Sequence, residues 1–391
     1  MTTKLIAYRI QLFVLCLSLS IFIFQLEPIM AARGIATSTV VTVFSIIQVL
    51  SIFATIFWGK LVHGSKNGYW IVRIGVVIRI IIIGLMCLHV ENTIFIALAI
   101  LYNTVSGSVD IANEAQLLKW SSEENQNFGR IRMFASFGFS ISGLVASALL
   151  KATDTIDSVI IFALFINLIF MVTSFYRPIK IKPIQDDKKV TIKLDFSIIL
   201  MMFLILITLA LPNSFGIIMN LHFREELGTT LSTAVFLSGI SILLSSGVSE
   251  VTAFWFIDRI INKIGARKTI MIGMSASIFR WMIAASFHSP WMFTLSFLFH
   301  GVNFAFMYMG FMTIVRNRFG NDSIGKVMTI YSVISSITAA MITQSFNLIM
   351  KYSDTFMILK LFTVISVVLC VAFYIAFWKN PKYAENGKSL G

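Results

Sequence analysis

Twelve apolar stretches, each about 20 residues or longer, follow one another along the chain with short polar gaps between them. A helix of that length crosses the hydrocarbon core of a bilayer, and it satisfies its backbone N–H and C=O groups internally, as the absence of water there requires. The stretches run at 10–31, 38–59, 69–90, 93–116, 131–150, 156–176, 196–219, 231–256, 268–287, 290–314, 327–350 and 355–378. They predict an all-α membrane protein with twelve transmembrane helices. Length alone would suggest two soluble domains in 391 residues. Composition removes that alternative, because 57% of the residues are hydrophobic, 13% are charged and the mean hydropathy is +0.87. The first stretch is long and has no small-residue cleavage site before a polar segment, so it reads as the first membrane helix and not as a removable leader.

The net charge of +13 does not mark a nucleic-acid binder, because the Lys and Arg residues sit in the gaps and not on one face or tail. Cys16, Cys87 and Cys370 lie inside apolar runs without metal-ligand spacing, and neither metal nor cofactor is expected. The longest gap holds Arg177, Lys180, Lys182, Lys188, Lys189 and Lys193, and it splits the spans six and six. The expected units are an N-terminal six-helix half at 1–176, a central loop at 177–195 and a C-terminal six-helix half with a short tail at 196–391. With the N-terminus inside the cell, the basic residues outside the spans fall on the cytoplasmic side except Arg33, Lys151, Arg224 and Lys351. That bias places both termini and the central loop in the cytoplasm.

Charges inside such spans are costly and are usually kept for a substrate, an ion or a partner charge. Asp110 and Glu114, four residues apart in span four, share one helix face. Arg132 lies just inside span five and needs an anion, for which Glu114 is the nearest candidate. Such a pair can equally be a structural pin between two helices. Gln48, Arg79, Asn103, Asn213, Asn220 and Gln344 are expected to bond neighbouring helices. Gly138 and Gly143 are expected to permit close helix contact. The chain has no glycine loop ending in Lys-Ser/Thr and no nucleophile–base motif, which argues against ATP-driven transport and against a membrane enzyme.

Two loops carry a family resemblance. Asp258-Arg259-Ile260-Ile261-Asn262-Lys263-Ile264-Gly265-Ala266-Arg267-Lys268 lies between spans eight and nine, and Gly59-Lys60-Leu61-Val62-His63-Gly64, without the acidic residue, follows span two. The acidic-basic-x4-Gly-x-basic pattern resembles the signature loop of the major facilitator superfamily, whose fold has two six-helix halves around a midplane site. Glu114-Ala115 with Gly129-Arg130-Ile131-Arg132-Met133-Phe134 resembles the lactose permease group of sugar/proton symporters, and also nearby nucleoside and phenylpropionate symporters. In the lactose permease group the corresponding Glu and Arg grip sugar hydroxyls, and Phe139 stands where that group stacks a Trp on the sugar. Arg280 follows Gly265 by 15 residues and His300 follows Arg280 by 20, as in that group, which also has a Glu in span eight, here Glu250. The chain departs from the group at Asn303, Phe297 and Ala253, where the group has a carboxylate, a Lys and an Asn.

The resemblance implies a secondary transporter that works by alternating access in a bacterial cytoplasmic membrane. It implies proton-coupled import of a small polar solute, a saccharide, nucleoside or aromatic acid. Substrate contacts are expected from Glu114, Arg132, Phe139, Glu250 and His300, and proton coupling from Glu250, Arg280 and His300. Glu27 and Asp110 are the other carboxylates able to replace the missing one, although Glu27, beside Pro28 near the outer end of span one, can simply face water. The expected partners are the solute, protons and the bilayer, with no nucleic acid, and a monomer is expected. An exporter of the same fold is the first competitor. Such exporters typically carry Gly-Pro in span five, whereas Gly138 to Gly143 contains no proline. A non-transporting membrane sensor is the second, and no appended signalling domain supports it.

Overall fold

The computed structural model describes residues 3–64, 68–123, 126, 128–176, 195–319 and 324–378; within these helices the side chains of some residues, Glu114 among them, lie outside the described residues. The helices are α1 (Thr3–Ile23), α2 (Leu26–Ala32), α3 (Thr37–Gly64), α4 (Gly68–Met86), α5 (Asn92–Glu123), α6 (Phe128–Thr153) and α7 (Asp157–Tyr176). They continue as α8 (Phe196–Leu221), α9 (Leu231–Ile242), α10 (Val251–Ile264), α11 (Ala266–Ser286), α12 (Pro290–Ser296), α13 (Leu298–Phe319), α14 (Ile324–Tyr352) and α15 (Thr355–Phe377). Two π-helical segments extend α8 and α9, at His222–Glu226 and Leu243–Glu250. No strand occurs among the described residues.

Among the described residues, 10 helical stretches are long and apolar enough to cross a membrane, from Leu5–Ala32 to Thr355–Phe377. The expected spans 69–90 and 93–116 correspond to α4, which carries Arg73 and Arg79, and to α5, whose described apolar part is the shorter Asn92–Gly107. The expected linking segment lies outside the described residues up to Asp195, whose carboxylate caps α8 by accepting from Ile198 N.

Several spans are not single regular helices. Span one breaks at Phe24–Gln25 between α1 and α2, and span ten breaks at Phe297 between α12 and α13. Span eight runs through the π segment that ends at Glu250. Irregular backbone at membrane depth survives only where protein or a wet cavity satisfies it.

Helices before and after the linking segment pack separately and also meet. On one side α6 packs on α1, and α3 on α5; on the other, α11 packs on α13 and α15. Across the two sets, α3 packs on α14, and α6 on α9 and its π extension. Small residues bring the second pair together: a Cβ at Gly143 would lie 2.4 Å from Gly239 Cα, and one at Gly247 would lie 2.8 Å from Ser140 Oγ. Gly75 and Gly273 occupy matching places, the first pressed by Val109 of α5 and the second by Met307 and Asn303 of α13. Gly265, at φ 86°, makes the turn from α10 to α11 in a conformation that side chains resist. Arg267 Nη1 then donates to Phe377 O at 2.8 Å and fastens α11 to α15.

The Gly143–Gly239 contact leaves no room for a methyl group. Gly143→Ala is expected to cost about 1–3 kcal/mol as overpacking. Gly216→Ala, where nothing lies within 4 Å of the added Cβ, is expected to be neutral or mildly stabilising. Thermal melts of the two purified variants check this, and equal melting temperatures would show that the helices separate freely at Gly143.

Candidate functional site

Four groups of charged side chains inside the bundle bear on the site; a further buried cation, Arg73 of α4, donates to Ser174 O of α7 and stacks on Trp70 and Phe175. The first is wholly on the α1–α7 side. Arg79 of α4 is fully buried, pairs with Asp110 Oδ1 of α5 at 3.3 Å, and donates to Ser18 Oγ (2.9 Å) and Tyr102 Oη (3.3 Å). Tyr102 in turn donates to Ser18 O at 3.2 Å, so the cluster ties α1, α4 and α5 together.

The second crosses between the two sets of helices. Arg224 Nη2, in the π extension of α8, donates to Glu27 Oε1 of α2 at 2.9 Å. Glu27 is only 3% exposed and its Oε2 is buried without a hydrogen-bond partner. The alternative that Glu27 faces water is thereby corrected: the break after α1 turns it inward against the other set.

The third also crosses. Arg132 Nη1 lies 3.5 Å from Ser136 Oγ one turn along α6, and Ser136 donates to Glu250 Oε1 at 2.6 Å. Glu250 is 5% exposed and ends the π segment of span eight. The fourth is Arg280 of α11, 2% exposed, whose Nη1 donates to His300 Nδ1 of α13 at 2.8 Å.

The geometry joins some of the expected site residues and separates others. Glu250 was expected beside Arg280 and His300. Its backbone is there, since a Cβ at Gly301 would lie 2.1 Å from Glu250 N. Its carboxylate instead bonds Ser136 on α6, and Arg280 takes His300 as its partner. Phe139 stacks edge-on against Phe24 at the α1–α2 break, with ring centroids 4.9 Å apart. Glu114 lies on α5 one turn beyond Asp110, and its side chain is outside the described residues. Asn303, in place of a carboxylate, donates from Nδ2 to Gly273 O at 3.1 Å and fastens the close α11–α13 contact.

Sequence reasoning missed two charge partners. Arg79 was expected only to bond helices, yet it is the counter-charge of Asp110. The signal was a full charge deep in span three. Arg224 was counted as a loop cation, and its signal was its rarity on a side nearly free of basic residues. His222 was also missed. It is wholly buried, with Nδ1 2.6 Å from Thr355 Oγ1 and its ring against Phe293 and Phe356.

A helical bundle of this layout, with paired charges within and between its two sets of helices, is a membrane transporter of the major facilitator type. The MFS_1 like family model matches residues 5–355, and the chain belongs to that family. It is 23% identical over 344 residues to the uncharacterized transporter YwbF of Bacillus subtilis (strain 168), covering 86% of this chain and 84% of that one. It is 21% identical over 259 residues to the maltose permease of Geobacillus stearothermophilus, covering 64% of this chain and 62% of that one. Its fold is similar to the crystal structure of the nucleoside transporter NupG, with a TM-score of 0.73 and 15% identity over 97% of this chain and 100% of that one. The chain is a multi-pass membrane transporter and not an enzyme.

The Arg79 cluster is expected to be structural. Asp110→Asn leaves a buried guanidinium without its carboxylate, at a cost of about 3–5 kcal/mol. The melting temperature should fall sharply, and adding Arg79→Gln should recover most of it. An Asp110→Asn protein that melts like the wild type would contradict the assignment.

Proposed function

We propose that the protein imports a small polar solute together with protons by alternating access, in a bacterial cytoplasmic membrane with both termini inside. The observation that carries this reading is the Ser136–Glu250 bond. It joins a buried carboxylate on one half to a hydroxyl on the other, with Arg132 at the far side of that hydroxyl. When the halves rock apart, Glu250 must lose that donor or exchange it. Its hold on a proton is then tied to which way the site faces, because hydrogen bonds and nearby charges set the proton affinity of a carboxylate.

Arg132, Phe139 and Glu114 would line the site from one half, and Glu250 and His300 from the other. Support comes from the irregular backbone at Phe24–Gln25, at the π segment and at Phe297, since discontinuous helices near the midplane form the sites of many secondary transporters. Further support comes from the maltose permease and the nucleoside transporter to which the chain is similar, both carriers of hydroxylated solutes by name. Glu27–Arg224 would close the outer ends of α2 and α8 in the state seen here. Arg280 would take part in coupling through His300.

The test is uptake by proteoliposomes under an imposed proton gradient, against a panel of sugars, nucleosides and aromatic acids. Uphill accumulation that an uncoupler abolishes is the expected result. Glu250→Gln should eliminate accumulation while leaving downhill exchange. Arg132→Lys should lose solute affinity, because Lys cannot form the planar two-pronged contact of Arg. Intact proton-driven accumulation in Glu250→Gln would move the coupling role to Glu27 or Asp110. Efflux of several unrelated compounds without uptake would favour an exporter.

A further inference from the structure

We infer that Arg280 and His300 form a seat for an anion, so that the solute carried is a small organic anion bearing a carboxylate or phosphate. This rests on the transporter reading above and narrows its solute class.

Of the buried guanidiniums, Arg73 lies near the start of α4, donates to Ser174 O and stacks on Trp70 and Phe175; Arg79, Arg224 and Arg280 lie deeper along the chain's spans or at the divide between the two sets. Arg79 has Asp110 and Arg224 has Glu27. Arg280, only 2% exposed, has no carboxylate partner among the described residues. Its contacts are His300 Nδ1 at 2.8 Å and the rings of Trp281 and Phe297, whose centroids lie 4.4 and 4.3 Å from its Cζ. Its Nε is buried with no hydrogen-bond partner. Aromatic faces attract a cation but do not neutralise it. A buried charge without a counter-charge is strongly destabilising, and an intramembrane cation of this kind marks a place where something else supplies the opposite charge. Glu27 and Asp110 pair with Arg224 and Arg79, Glu250 accepts from Ser136, and no ion pair among the described residues joins any of the three to Arg280.

The histidine shows how an anion would be held. Arg has donors and no acceptor, so the His300 Nδ1 that receives its N–H must be the lone-pair nitrogen. The ring proton of His300 is therefore on Nε2. That N–H makes no hydrogen bond to a described residue, and His300 is partly exposed whereas Arg280 is not. The imidazole thus carries one N–H that no described residue engages, polarised by the guanidinium behind it. An anionic oxygen matches this donor far better than a sugar hydroxyl does, since bonds to ionised groups are about twice as strong as neutral ones. The break at Phe297 places His300 in the first turn of α13.

Two measurements test the seat. The first needs no ligand. If Arg280 awaits its counter-charge from solute, Arg280→Gln removes an uncompensated cation and raises the melting temperature of the solute-free protein. Arg79→Gln, which breaks the ion pair with Asp110 and the bonds to Ser18 and Tyr102, lowers it. A fall in Arg280→Gln comparable with that in Arg79→Gln would make Arg280 a structural cation and overturn the inference.

The second compares matched probes, glucuronate with glucose and uridine monophosphate with uridine, in wild-type full-length protein. The anionic member of a pair is expected to bind at least tenfold more tightly. Arg280→Gln should abolish that preference, and Arg280→Lys should keep it at lower affinity. Glucuronate and uridine monophosphate separate the carboxylate from the phosphate. Preference for the neutral members, or failure of both anions to bind, overturns the seat. Proton-driven uptake of glucose or uridine alone would leave the transporter reading standing and sink the seat. Anion binding that depends on Arg280, without proton-driven uptake of any probe, would do the reverse.

Discussion

A charge in hydrocarbon must find an opposite charge or a set of hydrogen bonds, and in this molecule the places where the cations find them decide which helices stay together. Arg79 finds Asp110, Ser18 and Tyr102 within one set of helices, so α1, α4 and α5 are bound into one body. Arg224 finds Glu27 in the other set. Glu250 takes its bond from Ser136 across the same divide. Bonds of the first kind hold through any rocking of one set against the other. Bonds of the second kind must break or exchange. The same requirement that makes buried charges expensive thus distinguishes contacts made within one set of helices from those that cross between the sets.

The backbone is irregular where the side chains are charged or stacked against the divide. The break at Phe24–Gln25 brings Phe24 against Phe139 and precedes Glu27 by two residues. The π segment of span eight ends at Glu250, and the break at Phe297 sets that ring against Arg280. A regular helix keeps all its backbone groups occupied and offers lipid or a neighbour only side chains. Interrupting it re-aims a side chain, and π segments are frequent at functional sites for that reason.

Much of the fold was legible in the sequence because the bilayer allows so few solutions. Long apolar runs meant helices, and helices are found at all the expected spans. The Asp258–Lys268 loop was legible because Gly265 must adopt φ 86°, which few other residues tolerate. The candidate site was legible only in part. The family resemblance singled out Glu250, Arg280 and His300 as candidates, but nothing in it or in the sequence says how they pair. Glu250 and Ser136 are 114 residues apart, and Glu27 and Arg224 are 197 apart, so no local pattern links them. The helix breaks were hidden for a different reason. Phe24-Gln25 and Phe297 contain no glycine or proline, and the π segment is pressed on by Gly301 from another helix. Pro28, which has no N–H for Phe24 O, gives the first break a local cause four residues downstream, whereas the π segment and Phe297 have no nearby proline and are set by packing.

The central claim is that the two sets of helices rock about the contacts that cross between them. The most direct test is a pair of distance measurements by spin labels in protein whose native cysteines have been replaced. One label pair at Ser38 of α3 and Tyr352 of α14 reports the end near Glu27 and Arg224, and another at Leu61 of α3 and Asn317 of α13 reports the opposite end; all four positions are exposed. With a transported solute at acid pH, the Ser38–Tyr352 distance should lengthen in the same fraction of molecules in which the Leu61–Asn317 distance shortens. If both distances stay fixed under conditions that support robust uptake, the bonds between the halves do not open during transport and the claim is wrong.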